Sequence, residues 1–308
     1  MTVVPNQSLR VPRLGVRAAR VTADPGSAWR GDSAIRKRAY ARRRGLDITR
    51  LRSTRELDLA LEKVVGTPDF LPGRWIRRAR AAAEAVARIK RSDGDHGTGF
   101  LVTPWLLMTN HHVLETADTA AGATATFRYE ENDDEELQDT VRLSLQPERC
   151  FVTSPVAELD LTLVAVAPTE DGQPPGATFG HIPAQGKTGK ALVGQPVNIV
   201  QHPDGRPRLI AIRHNLLLSV DDVRTLTYST DTQPGSSGAP VLNDRWELVA
   251  LHHSSRTTQG IVGNVGIRVS AIVSHVRGLA EDPAALAAAG SEGPKLLEEF
   301  LRLGQVVT

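Results

Sequence analysis

An all-β body behind a basic, partly helical lead-in is the architecture this 308-residue chain predicts, and three observations carry it. From residue 92 onward the sequence breaks into short apolar and β-branched runs separated by turn residues. Many short strands without intervening helices form a sandwich or a barrel. Before residue 92, two stretches instead carry apolar side chains at helical spacing. Finally, 40% hydrophobic and 23% charged residues make a soluble globular composition. No apolar run approaches the roughly 20 residues of a membrane span.

Residues 1–45 are Arg-rich with little periodicity, and RKRAYARRRG from Arg36 reads as a solvated charge run. Ser53-x-x-Glu56 is a capping box opening a helix with Leu57, Leu61, Val64 and Val65 on one face. GTPDFLPG at 66–73 breaks it. A second helix is expected from about Arg74 to Arg91, with Trp75, Ile76, Ala79, Ala82, Ala83, Val86 and Ile89 as its apolar stripe. RSDGDHG at 91–97 marks the main boundary, giving a lead-in of 1–91, a β body of 92–278 and a tail of 279–308. Strands are expected at GFLVT, LLMT, 123–129, 140–145, 160–167, 196–201, 208–220, 225–230, 239–242, 247–253 and 264–269. EENDDEE at 130–136 reads as a solvated hairpin tip, 270–279 as a closing helix and 281–304 as a short helical tail.

The charge is asymmetric: residues 1–91 hold 22 Lys and Arg against 8 Asp and Glu, and residues 92–308 hold 15 against 27. A basic arm of this kind packs on the acidic body or meets an anionic partner such as nucleic acid. No nucleic-acid motif or interleaved aromatics accompany it. The single cysteine, Cys150, excludes an intrachain disulfide, and the basic N-terminus lacks the apolar core of a secretory signal. A cytoplasmic protein without a membrane anchor is therefore expected. With no base motif beside it, Cys150 reads as an inert buried thiol.

The chemistry lies in three stretches. In QPGSSGAPV, 233–241, glycines flanking Ser237 permit a tight turn whose backbone N–H groups can point at one spot beside the hydroxyl. Asp160 heads the apolar run LDLTLVAVA, and a carboxylate opening a buried strand needs a partner. TNHHVLE, 109–115, supplies histidines. A serine, a histidine and an aspartate are a nucleophile, a general base and an orienting group. His111, His112 and Glu115 lack the H-E-x-x-H spacing of a metal site. No metal or organic cofactor is implied.

These stretches together resemble the trypsin-like, chymotrypsin-fold serine peptidases, in the disulfide-free bacterial branch of the glutamyl endopeptidases and high-temperature-requirement proteases. GTGFLVTPWLLMTNHHV, ELDLTLVAV and PGSSGAPV match the family's three motifs in order, with 48 and 77 residues between the key positions. The resemblance spans about residues 92–278 and implies two packed antiparallel β-barrels with the site between them. It assigns Ser237 as nucleophile, His112 as general base, Asp160 as the orienting carboxylate, and the N–H groups of Gly235 and Ser237 as the oxyanion hole. His111 takes a variable position. Ser236 stands where the animal digestive enzymes keep an aspartate for zymogen activation, so activation by that salt bridge is not expected. Ala239 is a small departure from Gly or Ser.

For the specificity pocket three readings stay open. Thr232 and His252 resemble the acidic-selective pocket of the glutamyl endopeptidases, Asp231 occupies the place of a basic-selective aspartate, or Asp231 pairs with His252 and neither reads substrate. His181, His202, His214, His253 and His275 read as loop or packing residues. The activity implied is an endopeptidase on protein substrates, with a basic arm that could restrain it. The alternative is an inactive protease fold used as a binding module.

Overall fold

A computed structural model describes residues 14–65, 70–221, 223–230, 232–258 and 261–305. The lead-in is more ordered than its charge suggests. Helices α1 (Leu14–Ala23), α2 (Pro25–Ala28), α3 (Ala34–Arg43), α4 (Thr54–Val65) and α5 (Arg74–Glu84) follow one another. The capping box of α4 forms as expected: Glu56 N–H donates to Ser53 Oγ at 3.2 Å, and Ser53 N–H donates to Glu56 Oε2 at 3.0 Å. The charge run at 36–45 is not simply solvated. It lies largely in α3, which buries Lys37, Tyr40 and Ala41. Tyr40 packs with Trp29, Leu57, Leu61 and Leu192, and Lys37 Nζ is satisfied by Asp58 at 2.7 Å. The packed side of α3 carries charge as well as apolar groups, because Arg36, Lys37 and Arg43 are each paired with a carboxylate, while Arg42 and Arg44 are exposed.

The second expected helix is corrected. It ends at Glu84, and Val86–Lys90 is a strand, β1. Ile76, assigned to the apolar stripe, is 70% exposed. Val86 and Ile89 fit either period, and β1 is drawn into the sheet by pairing with strands on both sides. The barrel therefore begins before Arg91.

The first sheet contains β1, β2 (His96–Leu101), β3 (Leu106–Thr109), β4 (Thr124–Phe127), β5 (Val141–Ser144), β6 (Phe151–Ser154) and β7 (Leu161–Ala165), with helix α6 (Ala117–Ala121) after β3. Its order is β5-β4-β1-β2-β3-β7-β6, antiparallel throughout. A bridge between Leu145 and Val166 curls it toward closure. Helix α7 (Pro175–Phe179) stacks Phe179 on Phe127 at 4.4 Å.

The second sheet contains β8 (Val197–Gln201), β9 (Leu209–Ala211), β10 (Leu217–Val220), β11 (Thr225–Tyr228), β12 (Pro240–Asn243), β13 (Leu248–Thr258) and β14 (Ile261–Arg268), in the order β10-β11-β14-β13-β12-β8-β9. The 208–220 stretch supplies both end strands: β9 pairs with β8, and β10 with β11. A bridge between Pro196 and Leu216 completes the curl. Two curled seven-stranded antiparallel sheets thus give the double-barrel arrangement that the resemblance implied.

Helices α8 (Val269–Ala280), α9 (Pro283–Ala288) and α10 (Gly293–Leu303) close the described chain. The tail packs on the first barrel, where Arg149 Nε meets Glu292 at 2.6 Å and Leu296, Leu297 and Phe300 join the core. Helices α1 to α4 pack on the second barrel instead, while α5 adds Ala79, Ala82 and Ala83 to the core that holds Phe100 and Leu101. Asp32 Oδ2 accepts from Val193 N–H at 2.9 Å, Tyr40 Oη from Gln195 at 2.6 Å, and Arg43 pairs with Glu247. No described helix is long and apolar enough to cross a membrane. Cys150 is buried in the first barrel's core, and burial pushes its thiol up to about 12. Iodoacetamide at neutral pH should therefore leave Cys150 unmodified in native protein and alkylate it in denaturant, as read by intact mass.

Candidate active site

The end of β3 turns sharply. Asn110 O accepts from the N–H groups of both Val113 and Leu114 at 3.2 Å, and Asn110 Nδ2 donates to Asp160 O at 2.9 Å. This turn carries His112 to the head of β7. Asp160 adopts φ 44°, a left-handed conformation that aspartate tolerates better than most residues. Its fully buried carboxylate accepts three N–H groups. Oδ1 takes His112 N–H at 3.0 Å, while Oδ2 takes His112 Nδ1 at 2.8 Å and His253 Nδ1 at 2.6 Å. Burial opposes the charge, but hydrogen bonds from the two histidines prevail and hold the Asp160 carboxyl below the usual carboxylate range. An ionised carboxylate only accepts, so both rings carry Nδ1–H, and neutral His112 keeps a free lone pair on Nε2.

The serine loop is clamped from three sides. Thr98 on β2 donates its N–H to Ser237 O at 2.9 Å and its hydroxyl to Gly235 O at 2.8 Å. From β13, Gly238 N–H donates to His252 O at 3.1 Å. From the 202–206 turn, Asp204 N–H donates to Pro234 O at 2.5 Å. In a trans peptide N–H and C=O point opposite ways, so Gly235 N–H faces away from Asp204. Ser236 O accepts from Ala239 N–H at 3.0 Å, which turns Ser237 N–H away from Ala239 in the same manner. Glycine is required here: Gly238 has φ 87°, and a Cβ there would lie 2.1 Å from Thr98 O. Ser236 is buried and its Oγ accepts from Gln233 N–H at 3.3 Å.

Of the expected pocket residues, Asp231 lies outside the described residues. Thr232 Oγ1 donates to the buried Asn264 Oδ1 at 2.9 Å. His252 is buried, with Nδ1 2.5 Å from Tyr228 Oη. Burial pushes the Tyr228 phenol well up and the His252 imidazole down to about 3, so both are neutral at physiological pH. The phenol donates, His252 Nδ1 accepts, and Nε2 keeps the ring proton. His111 turns to Thr153, with Nδ1 2.7 Å from its Oγ1. His202 is buried against Tyr129, with centroids 6.0 Å apart.

Reading His253 as a packing residue missed its contact with Asp160. A signal was available: two adjacent histidines ending the apolar run ELVAL must face opposite sides of a strand. The register of β13 on β14 shifts between His252 and Ser254, leaving His253 out of the ladder. His252 reaches Tyr228 of its own barrel, and His253 reaches Asp160 of the other. His112, Asp160 and His253 also offer three ligand-type atoms within 4.8 Å. The 2.6 and 2.8 Å spacings are those of hydrogen bonds. Ligands at about 2.0–2.1 Å around a tetrahedral zinc stand roughly 3.3 Å apart, so the protonated arrangement is the one built here.

The model of the trypsin-like peptidase domain matches residues 97–251. "Uncharacterized protein y4fB" of Sinorhizobium fredii (strain NBRC 101917 / NGR234) is 40% identical over 205 residues, 63% of this chain and 31% of that one. "Secreted RxLR effector protein 73" of Plasmopara viticola is 28% identical over 194 residues, 56% of this chain and 45% of that one. The chain thus spans less than half the length of these curated relatives. Among solved structures, Deg5 aligns with a TM-score of 0.46 at 14% identity, covering 67% of this chain and 95% of its own. The Rv3671c protease in its inactive form aligns with a TM-score of 0.46 at 16% identity, covering 66% and 92%.

Proposed function

The chain belongs to the trypsin-like peptidase family, and from that premise we propose that it is a serine endopeptidase acting through an acyl-enzyme. Ser237 Oγ attacks the scissile carbonyl while His112 Nε2 takes its proton. Gly235 N–H and Ser237 N–H hold the oxyanion. His112 returns the proton to the leaving amine, and water then releases the acyl group by the same steps. Asp160 keeps the Nδ1–H tautomer of His112 and neutralises its imidazolium. The observation that carries this reading is the double grip of Asp160 on His112, through the backbone N–H and through Nδ1.

For the residue before the cut we propose a side chain ending in hydrogen-bond acceptors, with glutamate foremost. Tyr228 fills His252 Nδ1 and leaves Nε2–H as the donor, while the one proton of the Thr232 hydroxyl is already given to Asn264 Oδ1. Protein substrates and a cytoplasmic setting belong to the same proposal, the latter supported by the single buried free thiol. Helices α1 to α4 and their connections make hydrogen bonds and ion pairs to the second-barrel side at Ala191, Val193, Gln195, Arg245 and Glu247. Any restraint these helices exert would therefore act through that barrel. Arg30, Arg36 and Lys37 are spent on Glu62, Asp32 and Asp58, which weakens the case for a nucleic-acid surface.

The test is fluorophosphonate labelling together with cleavage-site profiling on a denatured peptide library. Labelling that requires Ser237, with cuts after Glu, is the expected result. Cuts after Arg or Lys would reassign the pocket to Asp231. An unlabelled wild-type protein would overturn the peptidase reading and leave a binding module on the same fold.

A further inference from the structure

We infer that His253 is a positioning residue, a second imidazole that shares the Asp160 carboxylate with His112, so that activity falls at acid pH by two coupled protonations instead of one. Its kinetic consequence rests on the peptidase reading above.

One oxygen, Asp160 Oδ2, receives both Nδ1–H groups, at 2.8 Å from His112 and 2.6 Å from His253. The His253 side chain is 6% exposed, against 36% for that of His112. The two rings stand edge to face with centroids 6.2 Å apart. The titratable groups set against His253 are Asp160 and His112 from the first barrel and His252 on its own strand. Burial pushes His252 down to about 3, so it brings no charge at physiological pH. The local inventory is therefore one fixed negative charge and two imidazoles that can each accept a proton.

The first proton to arrive, on either ring, is neutralised by Asp160. A second has no carboxylate left to it and meets a like charge across the ring gap. Catalysis needs His112 to become an imidazolium while Ser237 is attacking. With His253 neutral, the whole Asp160 charge is available to that imidazolium. Once His253 is protonated it claims Asp160, and the second positive charge that the reaction must create on His112 is opposed. Both rings must be neutral at the start of a productive turnover. The protons leave in steps that belong to the pair.

His253→Asn tests this, because its amide N–H can reach Asp160 Oδ2 as Nδ1–H does but does not titrate near neutral pH. In the wild-type protein, log(kcat/KM) should fall on the acid side first with a slope of about 1 and then, below the second step of the pair, with a slope of about 2, whereas His253→Asn should keep a slope of about 1 throughout. At the alkaline plateau the variant should keep kcat within about threefold, because the donor to Asp160 is retained. His253→Ala, lacking the donor, should lose kcat with KM little changed. A wild-type profile without the second break, or the same second break retained in His253→Asn, would overturn the inference.

A second measurement does not depend on turnover or on a His253 variant folding. In full-length protein carrying Ser237→Ala, proton NMR should reveal two strongly downfield imidazole N–H resonances that shift together with pH. Two such signals without any serine-dependent cleavage would fell the peptidase reading and leave the shared carboxylate standing. A single downfield signal would fell the shared carboxylate itself.

Discussion

Ser237→Ala is expected to lower kcat on the best library peptide by about 10⁶, the scale at which removing a serine nucleophile leaves only binding and oxyanion stabilisation. The loss should fall on kcat, with KM moving little, because the missing hydroxyl contributes to bond making and hardly to holding the peptide. The fold should be untouched. Ser237 is held through its backbone, with Thr98 N–H on its carbonyl, and glycines 235 and 238, not the serine, carry the positive φ values of the loop. Thermal unfolding of variant and parent should therefore coincide while initial rates separate by orders of magnitude. A variant retaining more than about a thousandth of the rate would point to a different nucleophile, since residual catalysis without the serine lies far below that.

The second large effect is Asp160→Asn, expected to cost about 10⁴ in kcat. The cause is a proton in the wrong place. Asp160 Oδ1 accepts from His112 N–H, and Oδ2 accepts from two imidazole Nδ1–H groups. An asparagine can satisfy the backbone N–H only by placing its Oδ1 there, which aims its NH₂ at both rings. Each ring would then present a bare Nδ1 and carry its proton on Nε2, the atom His112 needs free to accept from Ser237. The reverse flip sets NH₂ against the backbone N–H and leaves two donors face to face. The first arrangement avoids that clash, and in it His112 loses its function as a base. Fluorophosphonate labelling rate reads this directly, since labelling needs only the first half of the reaction. Labelling at the wild-type rate would sink the role given to Asp160.

Much of the fold was legible because the β body repeats one pattern, short buried runs between turns, and each run found a partner. The pairing of His112 with Asp160 was legible through motifs whose residue types and order are constrained by chemistry. The misses share a cause: they depend on a partner distant in sequence. Ala85-Val-Ala-Arg-Ile-Lys90 satisfies helical and strand spacing equally, and only the neighbours β2 and β4 decide for a strand. Tyr40 and Ala41 sit in a run of arginines, and nothing local says that Leu192 will cover them. His253 looked like packing because its role requires a bulge in β13 and a carboxylate 93 positions earlier in the chain. Sequence order hides such contacts, whereas local spacing exposes caps, turns and strands.

The two ends of the described chain are crossed over. Helices α1 to α4 lie ahead of the first barrel in sequence yet cover the second, while α9 and α10 follow the second barrel yet cover the first. During synthesis, then, the opening helices emerge long before the surface they belong to exists, and the barrel holding His112 and Asp160 stays uncovered until residues beyond 283 leave the ribosome. A growing chain holds His112 and Asp160 before it holds Ser237 and His253, so these four residues cannot come together until the second barrel has been made.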